Sequence, residues 1–216
     1  MGNIAAVLFD LDGTFADTAP DLANAVNVMR AARNLPAVAE EATRPVTSHG
    51  ARGLLAAGFG MAPDHPEYAA MREEFLDLYA RNLCVDTRLF PGMSELLSGL
   101  EAREIAWGIV TNKAERFAKP LMEQLDSGRR CACVVGGDTT SRTKPHPDPL
   151  LAAARLIGIA PHASIYVGDD RRDIEAGRAA GMKTIAVRYG YLNGSDPETW
   201  GADAVVDTPQ DVLRHV

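Results

Sequence analysis

A chain of 216 residues is long enough to bury a full core and to hold a small second domain. Its 46% hydrophobic and 24% charged residues are those of an ordinary globular protein. A formal net charge of −7 argues against nucleic acid or an anionic membrane as a general partner, so a site for an anionic ligand must be built locally. Three cysteines, Cys84, Cys131 and Cys133, are too few and too irregular for a disulfide framework. Cys131 and Cys133 stand at strand spacing in an apolar run and read as two small buried side chains, not as half of a metal site. No apolar run reaches membrane-spanning length, and the amino-terminal stretch lacks a cationic segment followed by a long apolar one. The expectation is a cytoplasmic, enzyme-sized protein whose partner is a small molecule; whether it is a monomer or a homodimer is left open.

In chain order, the apolar run Ala5 to Phe9 predicts a buried strand, being short, continuous and ended by turn chemistry. Helical texture follows. Pro20 or Asp21 opens a helix whose stripe is Leu22, Ala25, Val26 and Met29, and Asn34-Leu35-Pro36 closes it. A short helix over Glu40 to Thr43 should stop near Pro45, leaving Thr47-Ser48-His49-Gly50 as a loop before a helix over Ala51 to Phe59. Glu67 to Asn82 predicts an amphipathic helix with Tyr68, Met71, Phe75, Leu78 and Tyr79 on its apolar side.

From there the pattern alternates: helix Met93 to Arg103, strand Ile105 to Val110, helix Arg116 to Gln124, apolar run Cys131 to Val135, helix Asp148 to Leu156 and strand Ser164 to Val167. Helix Arg172 to Ala180, strand Lys183 to Val187 and the short strand Ala204 to Val206 complete it. Such alternation implies right-handed βαβ units and a doubly wound, mostly parallel, Rossmann-like α/β sheet. The predicted organisation is a core of residues 1–16 and 87–216 carrying an inserted, all-helical cap at 17–86.

Three predicted strands end in conspicuous polar groups. The first runs into Asp10-Leu11-Asp12-Gly13-Thr14, the second into Thr111-Asn112-Lys113, the third into Gly168-Asp169-Asp170-Arg171-Arg172-Asp173. Parallel strands share one carboxyl edge, where ligands bind. Asp10 and Asp12 are two residues apart, so in extended chain they point to the same side, and their repulsion calls for a cation, a shared proton or a nearby base. Gly13 permits a backbone conformation that a Cβ resists. Between the second and third groups, Thr143-Lys144-Pro145-His146-Pro147-Asp148-Pro149 is a proline-stiffened loop able to hold one lysine. Singly, each has an ordinary reading: a helix cap at Thr111, a solvated Lys144, an acidic first helical turn at 169–173. Their order and placement together make those readings a poor account.

In these four motifs (DLDGT, VTN, TKPHPDP and GDDRRD) the sequence resembles the haloacid dehalogenase-like hydrolases, in their phosphoglycolate phosphatase-like branch with a helical cap. The resemblance implies that Asp10 is a nucleophile forming an aspartyl-phosphate. It implies that Asp12 is the general acid and then the base, its proton held by desolvation and neighbouring negative charge. Thr111 then bonds a phosphoryl oxygen and Lys144 neutralises Asp10 and the phosphate. Mg2+ is implied as cofactor, held by Asp10, the Asp12 carbonyl and Asp169. Gly13 and Asn112 are implied as substrate-binding positions, and Asp173 as a group behind the metal or paired with the lysine. The roles of Asp170, His49 and Arg116 are not readable. The acid at Asp12 sets the chain apart from the dehalogenases, whereas a sugar phosphomutase or a non-catalytic phosphometabolite sensor would share most of these residues.

In the predicted cap, Gly50 beside a helix start can offer its N–H to an anion, and Arg52 can clamp a carboxylate with two prongs. Lys113 and Arg116 are lesser candidates for substrate contact. The stretches SHGARGLLAAGFGM, WGIVTNKAERFAKPLMEQL and AVRYGYLNGSDPETWGADAVVD are similar to the N-acetylmuramic acid 6-phosphate phosphatases of cell-wall recycling. Both that sugar and 2-phosphoglycolate carry a carboxylate beside the phosphate, so a cap arginine suits either.

Overall fold

A computed structural model describes residues 4–125 and 130–216. The chain divides into two compact units, Met1–Ala16 with Leu89–Val216, and Asp17–Arg88.

In the first unit, β1 (Ala6–Phe9), β4 (Ala106–Val110), β5 (Val134–Val135), β6 (Ser164–Gly168), β7 (Lys183–Val187) and β8 (Ala204–Val206) form a six-stranded sheet in the order β5-β4-β1-β6-β7-β8. Its pairings are parallel. β1 lies at the centre, and the chain moves first to β4 and β5 on one side and then to β6, β7 and β8 on the other. The order therefore reverses at β1, which opens a crevice at the carboxyl ends of β1, β4 and β6. Register makes this concrete: Phe9 is level with Ile109 and with Val167, so Asp10, Thr111 and Asp169 leave the sheet at one edge.

Helices α5 (Met93–Glu101), α6 (Glu115–Gln124), α7 (Asp148–Ile157) and α8 (Arg171–Ala179) complete the layers. Leu8, Val110, Val135 and Tyr166 face one way and pack with Leu150 and Ala153 of α7 and Ala176 of α8. Residues of the opposite parity build the other side, where the Phe15 ring stacks on Trp107 and meets Phe9 at a tilt. Both faces are covered, which is why these strands read as continuous apolar runs without alternation.

The second unit is helical: α1 (Ala19–Ala32), α2 (Glu40–Thr43), α3 (Gly50–Phe59) and α4 (Tyr68–Arg81). The predicted stripes are the buried faces, except that Tyr68 and Leu78 are only half-buried. A Cβ at Gly58 would lie 2.4 Å from Val26 Cγ1, so α1 and α3 cross closely because that position is glycine.

Three expectations need correction. The short helix ends at Thr43, just before Pro45, as expected, but no loop follows: a 3-10 turn runs on over Arg44–His49 with the proline in its first turn, where a missing N–H costs nothing. Thr47 to His49 are thus helical and not loop, and Gly50, at φ +59, joins that turn to α3. Two short strands in the cap region also escaped notice, β2 (Ala16–Asp17) and β3 (Arg88–Leu89), which form their own two-stranded sheet. Finally, the run Cys131 to Val135 is strand only at Val134–Val135. Cys133 is buried, but Cys131 is half-buried and its Sγ lies 2.9 Å from the Cys133 carbonyl. Burial pushes the Cys131 thiol up to about 11 and the Cys133 thiol up to about 12, so both are poor nucleophiles.

Asp21, expected only as a helix opener, does more. Its carboxylate is 1% exposed and accepts from the N–H groups of Val85, Asp86 and Thr87 at 2.9–3.1 Å and from Thr87 Oγ1 at 2.7 Å. It ties the end of the helical unit to α1. Asp21→Ala should destabilise the protein by about 3 kcal/mol, because it strands the two buried donors of Thr87 and releases the Val85 and Asp86 N–H groups; a thermal melt of the variant beside the parent measures this.

Among the described residues no helix is long and apolar enough to cross a membrane.

Candidate active site

β1 delivers Asp10, whose N–H bonds the Val167 carbonyl of β6 at 2.9 Å. The chain then turns: Phe15 and Ala16 donate back to the Leu11 carbonyl, and Gly13 sits at φ +88. The turn returns Thr14 toward β6, and Thr14 Oγ1 donates to Asp169 Oδ1 at 2.9 Å. Asp169 is fully buried between two glycines. A Cβ at Gly13 would be 2.2 Å from Asp169 Oδ2, and one at Gly190 would be 2.2 Å from Asp169 Cβ. The N–H of Tyr191 donates to Asp169 Oδ2 at 2.8 Å, while Tyr189 OH donates to the Thr14 carbonyl at 3.1 Å. Gly190, Tyr189 and Tyr191 were not singled out in the sequence; a glycine between two tyrosines just past a strand was the signal.

Lys144 reaches the same place from its proline-rich loop. Asn112 holds that loop: its Oδ1 accepts from Lys144 N at 3.0 Å and its Nδ2 donates to the Lys144 carbonyl at 3.1 Å. The Asn112 side chain therefore positions the lysine, where a substrate contact was expected. The Lys144 ammonium, 4% exposed, lies 2.8 Å from Asp10 Oδ1 and 2.7 Å from Asp173 Oδ1. It also donates to Tyr166 OH at 2.8 Å and to the Val110 carbonyl at 3.2 Å. Thr111 is buried, and its Oγ1 accepts from Lys113 N at 3.1 Å.

Asp12 is turned differently. Its carboxylate is ion-paired with Lys113 Nζ at 2.8 Å, both side chains largely buried. A neighbouring negative charge was expected to help Asp12 keep its proton; the structure sets an ammonium there. Asp173 spends one oxygen on Lys144 and accepts with the other from Asp170 N at 3.1 Å. Asp170, whose role was unread, is the N-cap of α8, and Arg172 grips its carboxylate through Nε and Nη2 at 2.8 Å. Arg116 is exposed above the Phe117 ring. Gly50 and an exposed Arg52 belong to the first turn of α3 in the helical unit, as does the 3-10 turn bearing an exposed His49.

Ligand oxygens of Asp10, Asp169 and Asp173 all lie within 4.8 Å of one another. Lys144 pairs with two of these three buried carboxylates, Asp10 and Asp173. Burial, more than any neighbour, pushes the Asp10 carboxyl up to about 6, with Asp173 adding to the rise and Lys144 opposing it. Burial likewise lifts Asp169 well above the usual carboxylate range, with Asp10 and Asp173 adding to it. Asp10 Oδ1 is buried and held by the charge of Lys144 without a well-directed hydrogen bond. An underneutralised, all-oxygen cluster with an incompletely bonded buried oxygen suits a hard divalent cation.

A carboxyl raised by folding binds its proton more tightly in the native state, so this contribution to stability is present at low pH and is lost as pH rises through about 6. Metal-free protein should melt lower at pH 8 than at pH 5.5 on this account, and Mg2+ should raise the melting temperature more at pH 8. Melts with and without Mg2+ at both values test it.

The family described as haloacid dehalogenase-like hydrolase matches residues 7–187. The chain belongs to that family. The hydrolase is 48% identical over 211 residues to an N-acetylmuramic acid 6-phosphate phosphatase of Pseudomonas aeruginosa, covering 97% of this chain and 93% of the relative. It is 47% identical over 205 residues to a phosphoglycolate phosphatase of Xanthomonas campestris, covering 94% and 92%. Among solved structures, a predicted phosphoglycolate phosphatase from Haemophilus somnus matches with a TM-score of 0.88 at 27% identity, covering 100% of this chain and 99% of that one.

Proposed function

We propose that this hydrolase is a Mg2+-dependent phosphomonoesterase acting through an aspartyl-phosphate on a small ester that also carries a carboxylate. The observation that carries the reading is the buried set of Asp10, Asp169 and Asp173 around Lys144, at the point where the strand order reverses. Its phosphatase relatives at 47–48% identity support it.

An Asp10 oxygen attacks phosphorus as the bond from phosphorus to the ester oxygen breaks. A carboxylate needs no base for this, provided it is ionised. Asp12, whose carboxylate is paired with Lys113 in the substrate-free protein, takes up a proton as Lys113 turns to the incoming phosphate, gives it to the departing alkoxide, and later takes one from the water that attacks the acyl-phosphate, releasing inorganic phosphate and restoring Asp10. Thr111 turns its hydroxyl proton toward a phosphoryl oxygen, while the Lys144 ammonium offsets charge on Asp10 and on the phosphoryl group. Mg2+, held by Asp10, Asp169 and the Asp12 carbonyl, would supply charge neutralisation at the phosphoryl oxygens. Asp173 already spends its oxygens on Lys144 and the Asp170 N–H.

For the ester, we favour N-acetylmuramic acid 6-phosphate over 2-phosphoglycolate, with Arg52 taking the carboxylate; the Gly50 N–H, expected to help, already donates to the Thr47 carbonyl. That substrate would place the enzyme in cell-wall recycling. Phosphate release from a panel of these two esters and hexose phosphates, with and without Mg2+, decides it. A clear preference for the muramic sugar in Mg2+ is expected. Preference for phosphoglycolate overturns the substrate choice. Phosphate moved within a sugar and not released would mark a mutase, and no turnover of any ester would mark a sensor.

A further inference from the structure

Tyr166 lies in mid-strand on β6, two residues before the end of the strand, and is fully buried among core side chains. Its ring packs in the core, but its hydroxyl does not end in apolar surroundings. It accepts from Lys144 Nζ at 2.8 Å, donates to the Val110 carbonyl at 2.7 Å and lies 3.4 Å from Asp173 Oδ1. The Lys144 ammonium also sits 5.4 Å from the centre of the Tyr166 ring. One oxygen therefore touches the last carbonyl before Thr111, the lysine of the proline-rich loop and the acid of α8. β4 and β6 are not neighbours, since β1 stands between them, so the hydroxyl makes a bond across the central strand that the ladder cannot make.

We propose that Tyr166 is a positioning residue that aims the Lys144 ammonium at Asp10. Lys144 is a flexible side chain with three N–H donors, and rotation about its last bond would otherwise let it settle fully on Asp173 and the Val110 carbonyl. The Tyr166 hydroxyl takes one donor at 2.8 Å and shares the Val110 carbonyl with the ammonium, its own O–H being the closer at 2.7 Å against 3.2 Å. That competition loosens the lysine's hold on the carbonyl and keeps the ammonium between the two carboxylates, 2.8 Å from Asp10 Oδ1 and 2.7 Å from Asp173 Oδ1. The inference rests on the phosphatase reading for its kinetic arm but not for its spectroscopic one.

Tyr166→Phe keeps the ring and removes only the hydroxyl, so it separates aim from packing. Turnover of the best ester should fall about tenfold, the scale of one hydrogen bond to a charged group. KM and the Mg2+ affinity of the resting protein, measured by calorimetry, should stay within about twofold, because no group holding substrate or metal is removed. The Lys144 ammonium is read directly from its proton–nitrogen correlation signal, identified by its loss in Lys144→Arg. In Tyr166→Phe its protons should exchange with water several-fold faster. Unchanged turnover and unchanged exchange would overturn the proposal, as would parallel losses of turnover, Mg2+ affinity and melting temperature, which indicate packing alone. If the parent protein hydrolyses no ester while the exchange still accelerates, the phosphatase reading fails and the brace on Lys144 stands.

Discussion

Asp10→Asn should abolish phosphate release, by at least about 10⁴-fold, because an amide oxygen neither carries the charge nor forms a stable link to phosphorus. The fold should survive, since Asp10 lies at the end of β1 and its backbone N–H, not its side chain, bonds β6. Removing one of three crowded carboxylates also relieves repulsion that burial makes costly. The variant should therefore be at least as stable as the parent in the absence of Mg2+ at pH 8. It should also fail to incorporate label from a phosphate ester under acid quench, where the parent accumulates it. A fully active Asp10→Asn would refute the assigned nucleophile.

Gly13→Ala should be the most damaging of the glycine substitutions. The residue sits at φ +88, where L side chains are strained, and its Cβ would be 2.2 Å from Asp169 Oδ2 and 2.7 Å from Tyr191 Cδ2. Either Asp169 leaves its bonds to Thr14 and Tyr191 or the turn opens and Asp12 is carried away. We expect a loss of about 3 kcal/mol in stability from backbone strain and overpacking together, and Mg2+ binding weakened by about 100-fold, as expected when the support of a metal ligand is lost. Gly190→Ala meets Asp169 Cβ without the positive φ, so it isolates the steric part. Calorimetric Mg2+ titration of both variants checks this; unaltered affinity in both would show that Asp169 is not a ligand.

The alternation of apolar runs with helical stripes was enough to place the doubly wound sheet. The strand β7 and the strand β8 fall on the residues that the sequence marks. Legibility was high there because burial on both faces leaves an uninterrupted apolar run, which is a local property. Edges were less legible: β2 and β3 are two residues each, too short to show any period, and the 3-10 turn through Pro45 depended on reading a proline as an opener.

The candidate site divides in the same way. Residue types and order brought Asp10, Asp12, Thr111, Lys144 and Asp169 to notice, because carboxylates and a lone lysine at strand ends are conspicuous in a one-dimensional text. The partners of those groups were not. That Asp12 faces Lys113, that Asn112 clamps the Lys144 backbone, and that Gly190 and Tyr191 enclose Asp169 are relations between residues far apart in the chain. Tyr166 is the clearest case: in sequence it is one more apolar-run residue, and only the order β4-β1-β6 gives its hydroxyl a lysine, an acid and a carbonyl to join. What the sequence determined by itself was the set of elements and the reactive groups at their ends, since period and composition are local. Which groups neutralise, aim and crowd one another was decided by the tertiary structure, because charge and contact act through space.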